Sequence, residues 1–294
     1  MPVSLGVKGP ADRSWSMLQV TCKPSELDEP TRAFYCRTLR VLRAGGIGHL
    51  VGGAYALERY TGIERHTKDL DVFVRRRDCA DALTVLATAG GCQCELTHPH
   101  WLAKVHCGER FVDVIFSSGN GIAEVDEQWF AHARRAEVLG EPTLLCPPEE
   151  IIWSKAFIME RERYDGADVA HLLRACGRSL DWTRLLERFG AEWPVLVSHL
   201  VLFDYIYPGE RAQIPAQVRR ELWRRQARLA RAPAALGSDT VRPLCRGTLL
   251  SRAQYLIDVE EWGYGDARLS PPSHMTREQV AHWTAAIENE EPHG

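Results

Sequence analysis

No apolar run in this sequence approaches the ~18 residues that suggest a membrane span, so no transmembrane segment is expected. Nor is there a strong excess of either charge. The formal net charge is −3 over 294 residues, so the chain as a whole is no electrostatic binder of nucleic acid, and any basic surface is local. A disulfide framework is missing too. Nine cysteines, an odd number at scattered spacings, fit reduced thiols in the cytosol. Cys92 and Cys94, with His98, His100, His106 and Cys107 nearby, lack the Cys-x₂₋₄-Cys spacing of structural zinc sites. That leaves small buried thiols as the plainer reading. The N-terminus has no charged segment followed by an apolar core, so no secretory signal is read there. A cytoplasmic globular protein is the expectation, and 45% apolar with 26% charged residues is ordinary composition for one.

What is present centres on Val51 to Asp71. An apolar run, Ile47 to Val51, reads as a strand. Gly52 and Gly53 follow it, and Ala54 to Tyr60 reads as a helix. Glycines at such a junction let backbone N–H groups approach a phosphate at a helix N-terminus. Lys68 to Val74 reads as a second strand, and alternation places Asp69 and Asp71 on one face of it. Two like charges there destabilise a plain strand. A hard divalent cation relieves them, and Mg²⁺ takes one or two carboxylates together with phosphate oxygens. Asp113 lies in a further strand-like run, Phe111 to Phe116, where a buried carboxylate needs a partner. Taken singly, each of these acids is as well explained as a solvated edge or a paired structural acid.

Gly52-Gly53, then Asp69-Leu70-Asp71, then Asp113 resemble the signature of the nucleotidyltransferase superfamily that includes DNA polymerase beta. The resemblance covers roughly residues 46 to 175. It implies that the glycines hold a triphosphate and that Asp69, Asp71 and Asp113 bind two Mg²⁺ ions. The implied reaction transfers a nucleoside monophosphate from an NTP co-substrate, ATP among the candidates, to an acceptor, releasing pyrophosphate. The fifteen residues Ala54 to Lys68 are a longer spacer than many members have. With Arg65-His66-Thr67-Lys68 leading into the acids, the pattern is more similar to the abortive-infection toxin branch. Thr67 and Lys68 are secondary candidates for phosphate contact, although a solvated loop explains each one alone. Lys155, Arg161, Asp165 and Asp168 resemble a helical motif of that branch. This implies that Lys155 touches the triphosphate and that one of the two acids adjoins the site. The plainer alternatives are a surface lysine and a helix N-cap at Asp165.

The fold class expected is α/β, a mixed-sheet nucleotidyltransferase core with helices packed on it, followed by a helical C-terminal domain. The divisions read are a loose arm (1–28), the core (29–146), a helical domain (147–232) and an extension without a clear role (233–294), which opens on a linker at 233–237 and ends in an acidic tail, 287–294, expected to be disordered. Within the core, helices are expected over 29–44 and 78–89. Further strands are expected at 92–96 and 101–106, giving the order β-α-β-α-β-β-β. Beyond it, Pro147 to Glu150 opens a helix, another begins at Arg161, Asp181 caps a third, and Pro194 to Tyr207 reads as a buried helix with Asp204 facing solvent. Pro215 to Arg231 carries six arginines. Arg220, Arg224, Arg228 and Arg231 form one stripe, which reads as a solvated face before an RNA-binding surface. A small-molecule or protein acceptor is therefore favoured over RNA. The rival to an enzyme is a non-catalytic regulatory module of the same fold that binds nucleotide or a partner protein, as an antitoxin might.

Overall fold

The structure, a computed structural model, describes residues 27–65, 67, 69–231 and 242–289. Lys68, most of the expected arm, the linker at 233–237 and the last residues of the tail lie outside these residues. Helix α1 (Glu29–Ala44) starts where Asp28 accepts a hydrogen bond from the Thr31 amide at 2.7 Å, with Pro30 in the first turn. Its Phe34, Tyr35, Leu39 and Leu42 are buried. Strand β1 (His49–Val51) leads through Gly52 into α2 (Gly53–Thr61), and β2 (Leu70–Val74) follows. Next come α3 (Cys79–Thr88), β3 (Gln93–His98), β4 (Leu102–Cys107), β5 (Arg110–Ile115) and the short α4 (Glu127–Ala131). Every expected strand of the core is present. Asp69, however, stands one residue before β2 rather than inside it.

The sheet is larger than expected. A hairpin, β6 (Arg134–Val138) and β7 (Glu141–Leu145), extends it to seven strands in the order β3-β4-β5-β2-β1-β7-β6. β2 runs parallel to β5 and β1 parallel to β7, and the other neighbours are antiparallel. Along β2, Leu70, Val72 and Val74 are buried while Asp71 and Phe73 stay partly exposed. On β5, Val112 and Val114 are buried and Asp113 is partly exposed. The buried sets share one core with α1 and with Ala82 and Leu86 of α3. The carboxylates are thereby left on the opposite face.

Helices α5 (Pro148–Ala156), α6 (Gly166–Cys176), α7 (Trp182–Phe189), α8 (Trp193–Ile206) and α9 (Ala216–Arg231) follow. Three expectations are corrected here. The helix expected from Arg161 begins at Gly166, because Met159 and Tyr164 pair across a tight turn. As expected, Pro148 to Glu150 open α5, and its first-turn acids are buried: Glu149 and Glu150 pair with Arg184, and Glu150 also with Arg188 at 3.2 Å. α8 is buried on one side only, and Val201, Leu202, Tyr205 and Ile206 are exposed. Asp204 does not face solvent unpartnered; it grips Arg219 of α9 through two contacts of 2.6 and 2.8 Å. The four-arginine stripe is exposed, with Arg224 bonded to Glu221 at 2.9 Å.

Residues 242–289 hold β8 (Leu244–Cys245), α10 (Leu256–Glu260), β9 (Gly265–Asp266) and α11 (Arg277–Asn289). This segment returns to the core. The Asn120 side chain donates to the Leu249 carbonyl at 2.7 Å, the Met159 amide to Leu250 at 3.0 Å, and Trp283 packs edge-on against Trp101. α11 runs to Asn289, past the start of the tail expected to be disordered. Among the described residues no helix is long and apolar enough to cross a membrane.

Candidate active site

Pairing of β2 with β5 sets Asp71 directly beside Asp113, with strands about 4.8 Å apart. Asp69 precedes them on the same side. Thr67 is tied to Asp69: its hydroxyl lies 3.1 Å from the Asp69 carbonyl and 3.3 Å from the Asp69 carboxylate, and it accepts from the Asp69 amide at 3.3 Å. Thr67 thus positions Asp69. Asp71 and Asp113 therefore sit side by side on adjacent strands, with Asp69 just before β2. Among the described residues, however, no three His, Cys, Asp or Glu side chains stand in a ready-made ligating arrangement. The cysteine and histidine cluster around Cys92 forms none either. His100 instead bonds the Gly119 carbonyl at 2.9 Å, and Cys94 bonds Leu83.

The electrostatic result is marked at Asp71. Burial, then the charges of Asp113 and Asp69, push its pKa up to about 6, and Lys155 and Arg163 act in the opposite sense. Asp113 is also raised, chiefly by burial, against the lowering pull of Lys104. Tyr35 of α1 feels the same field. Burial comes first, followed by Tyr55 and the three aspartates, in holding its phenol well above the ordinary range. Carboxylates kept this basic, in a hard-oxygen set, suit a divalent cation.

The two glycines are demanded locally. Gly53 has φ +52°, and a Cβ there would lie 1.6 Å from the Asp71 carboxylate. A Cβ on Gly52 would lie 2.3 Å from the Phe73 ring. The Gly52 amide donates to the Asp71 carbonyl at 3.0 Å, so it is already engaged. Any phosphate contact falls to Gly53 and the amides after it, which begin α2 without intrahelical partners. Close approach of Phe73 to Gly52 and of Asp71 to Gly53 therefore accounts for the glycines before any ligand is invoked.

Beside the acids lies a second set of charges. Lys155, at the end of α5, meets Asp165 at 2.5 Å and Asp168 at 2.9 Å. Arg163 chelates Asp165 through two contacts of 3.1 Å, and Arg65 pairs with Asp168. Lys155 is thus not a free surface lysine. Asp165 sits at the N-cap position of α6 yet makes no side-chain capping bond. Arg161 turns away to Glu162. Three cations on two carboxylates leave positive charge facing Asp71.

Two residues of this site were not legible as site residues: Arg163 and Lys104. Lys104 of β4 bonds Asp113 at 2.9 Å and lies over the Phe111 ring at 4.1 Å. A signal for it exists in the sequence. Gly108-Glu109 is a two-residue hairpin turn with Gly108 at φ +65°. Counting back from Cys107 opposite Arg110 puts Lys104 opposite Asp113. Arg163 has no such signal, because only the turn between Met159 and Tyr164 brings it in.

No family model and no curated protein matches this chain. Several solved structures are similar in fold. One is the antibiotic-resistance factor ANT(2'')-Ia, at 16% identity and a TM-score of 0.41, covering 59% of this chain and 98% of that one. The lincosamide antibiotic adenylyltransferase LnuA, bound to lincomycin, gives 13% identity and a TM-score of 0.35, covering 50% and 96%. A nucleotidyltransferase-like protein of Paracoccidioides brasiliensis gives 16% and 0.34, covering 59% and 93%. At these scores the likenesses carry no argument about activity, which rests on the site. It is in the residues from Gly52 to Asp113 that this chain resembles nucleotidyltransferases.

Proposed function

We propose that this protein transfers a nucleoside monophosphate from an NTP to an acceptor, with release of pyrophosphate. The observation that carries the reading is the register of Asp71 with Asp113, next to Asp69 and against the start of α2. Asp69 and Asp71, with Asp113 beside them, would hold Mg²⁺. A bound divalent cation supplies charge neutralisation at the phosphates and at the reacting oxygens. The residues of the chain do the rest. The first amides of α2 and the Lys155 and Arg163 cations bind and orient the phosphates. Asp113, raised above the ordinary carboxylate range, accepts the proton of the acceptor as its oxygen attacks the α-phosphorus and the bond to the departing pyrophosphate breaks.

The basic stripe of α9 belongs to a helix that packs on α8 rather than on the sheet, which favours a small-molecule or protein acceptor over RNA. The long spacer before Asp69 and the Lys155–Asp165–Asp168 cluster support the abortive-infection branch. Incubation with each NTP and Mg²⁺ in the presence of cell extract tests the reading. Pyrophosphate release that disappears on chelation is expected. Tight NTP binding without release would favour the regulatory module instead.

A further inference from the structure

Lys104, Asp113 and Asp71 stand in register across three adjacent strands, β4, β5 and β2. The Lys104 ammonium lies on the far side of Asp113 from Asp71, 2.9 Å from the Asp113 carboxylate. The opposite flank of Asp71 faces α2, Lys155 and Arg163, the phosphate-binding side. The ammonium is pinned twice, by Asp113 and by the Phe111 ring at 4.1 Å. Its side chain is 28% exposed, so it is not a freely swinging surface lysine.

We propose that Lys104 takes the place of one of the two cations that a three-carboxylate site of this kind would otherwise bind, so that the protein uses a single divalent ion, held by Asp69 and Asp71. This rests on the nucleotidyl-transfer reading above. The argument is one of space and charge. A fixed ammonium within hydrogen-bonding distance of Asp113 occupies the flank of that carboxylate away from Asp71. A divalent ion bound on that flank would be repelled by the fixed positive charge. Lys104 is then a positioning residue. It orients Asp113 by one carboxylate oxygen and leaves the other to take the acceptor's proton, while the acceptor oxygen–phosphorus bond forms and the bond to the departing pyrophosphate breaks.

The test counts ions rather than turnover. The full chain is equilibrated with each of the four α,β-methylene NTP analogues, and bound Mn²⁺ is measured by electron paramagnetic resonance. One Mn²⁺ per chain is expected for the wild type with the analogue that binds. Two are expected for Lys104→Met and for Lys104→Gln, and one again when Asp113→Asn is added. Two ions in the wild type, or one in both folded Lys104 variants, would overturn the proposal and leave the nucleotidyl-transfer reading intact. No Mn²⁺ with any analogue would remove that reading, and this proposal with it.

Discussion

Asp71 is the residue on which the site turns. Its carboxylate is crowded by Asp113 and Asp69 and pressed against Gly53. Its pKa in the fold, about 6, lies above the ordinary 3.8. The folded protein therefore holds this proton more tightly than the unfolded chain does. The associated stability is fully present below pH 3.8 and is lost as pH rises through 6. Without metal, the ionised group above pH 6 costs up to about 3 kcal/mol, at 1.36 kcal/mol per pKa unit. Asp71→Asn should consequently make the metal-free protein more stable at pH 8. Denaturant unfolding checks it: the advantage should shrink between pH 6 and pH 4, and an equal gap at both ends would contradict the assignment. The neighbouring glycine gives a second expectation. Gly53→Ala forces a Cβ onto the Asp71 carboxylate at a φ that L-residues avoid. It should reduce nucleotide-dependent Mn²⁺ affinity by tenfold or more while the protein stays folded, as measured by titration.

At the scale of elements, α5 links stability to the site. Its first turn carries Glu149 and Glu150, buried on Arg184, and its last turn carries Lys155. Removing one partner of a buried ion pair leaves an uncompensated charge, at a cost of about 3–5 kcal/mol. Arg184→Met should cost that much in chemical unfolding. Arg225→Gln, which breaks an exposed pair with Glu221, should cost under about 1 kcal/mol. A cost at Arg184 no larger than at Arg225 would show that the pair is not what anchors α5. The same elements show what the sequence could disclose. β2 and β5 were legible because one face of each is apolar and the other carries the acids. β6 was not, because Arg134-Arg135-Ala136-Glu137 is exposed or half-buried and only Val138 is buried. The hairpin is held by pairing with β7 through Leu139 and Gly140, both at positive φ. Likewise α8 reads as wholly buried because its apolar residues surround it, yet only one side of it meets α5, α6 and α7. Apolar content alone did not tell which side of α8 is covered.

Across the whole molecule, charge is sorted into separate places. Acids gather where β2 and β5 run side by side, cations from α5 and the turn before α6 face them, and the arginine stripe of α9 points to solvent. The segment 242–289 closes back on the loop after β5 and on Met159, at the start of the turn that delivers Arg163. The proposed site thus joins two stretches that resemble motifs, Gly52 to Asp113 and Lys155 to Asp168, with a third, 242–289, that carried no motif. Transfer of label from an α-³²P-labelled NTP to an acceptor in cell extract, with Mg²⁺ present, tests the account most directly. The account predicts label transfer with the wild type and a loss of at least a hundredfold in both Asp71→Asn and Asp113→Asn, each still folded. Equal transfer by the wild type and these variants, or none by the wild type with any of the four NTPs, would contradict it.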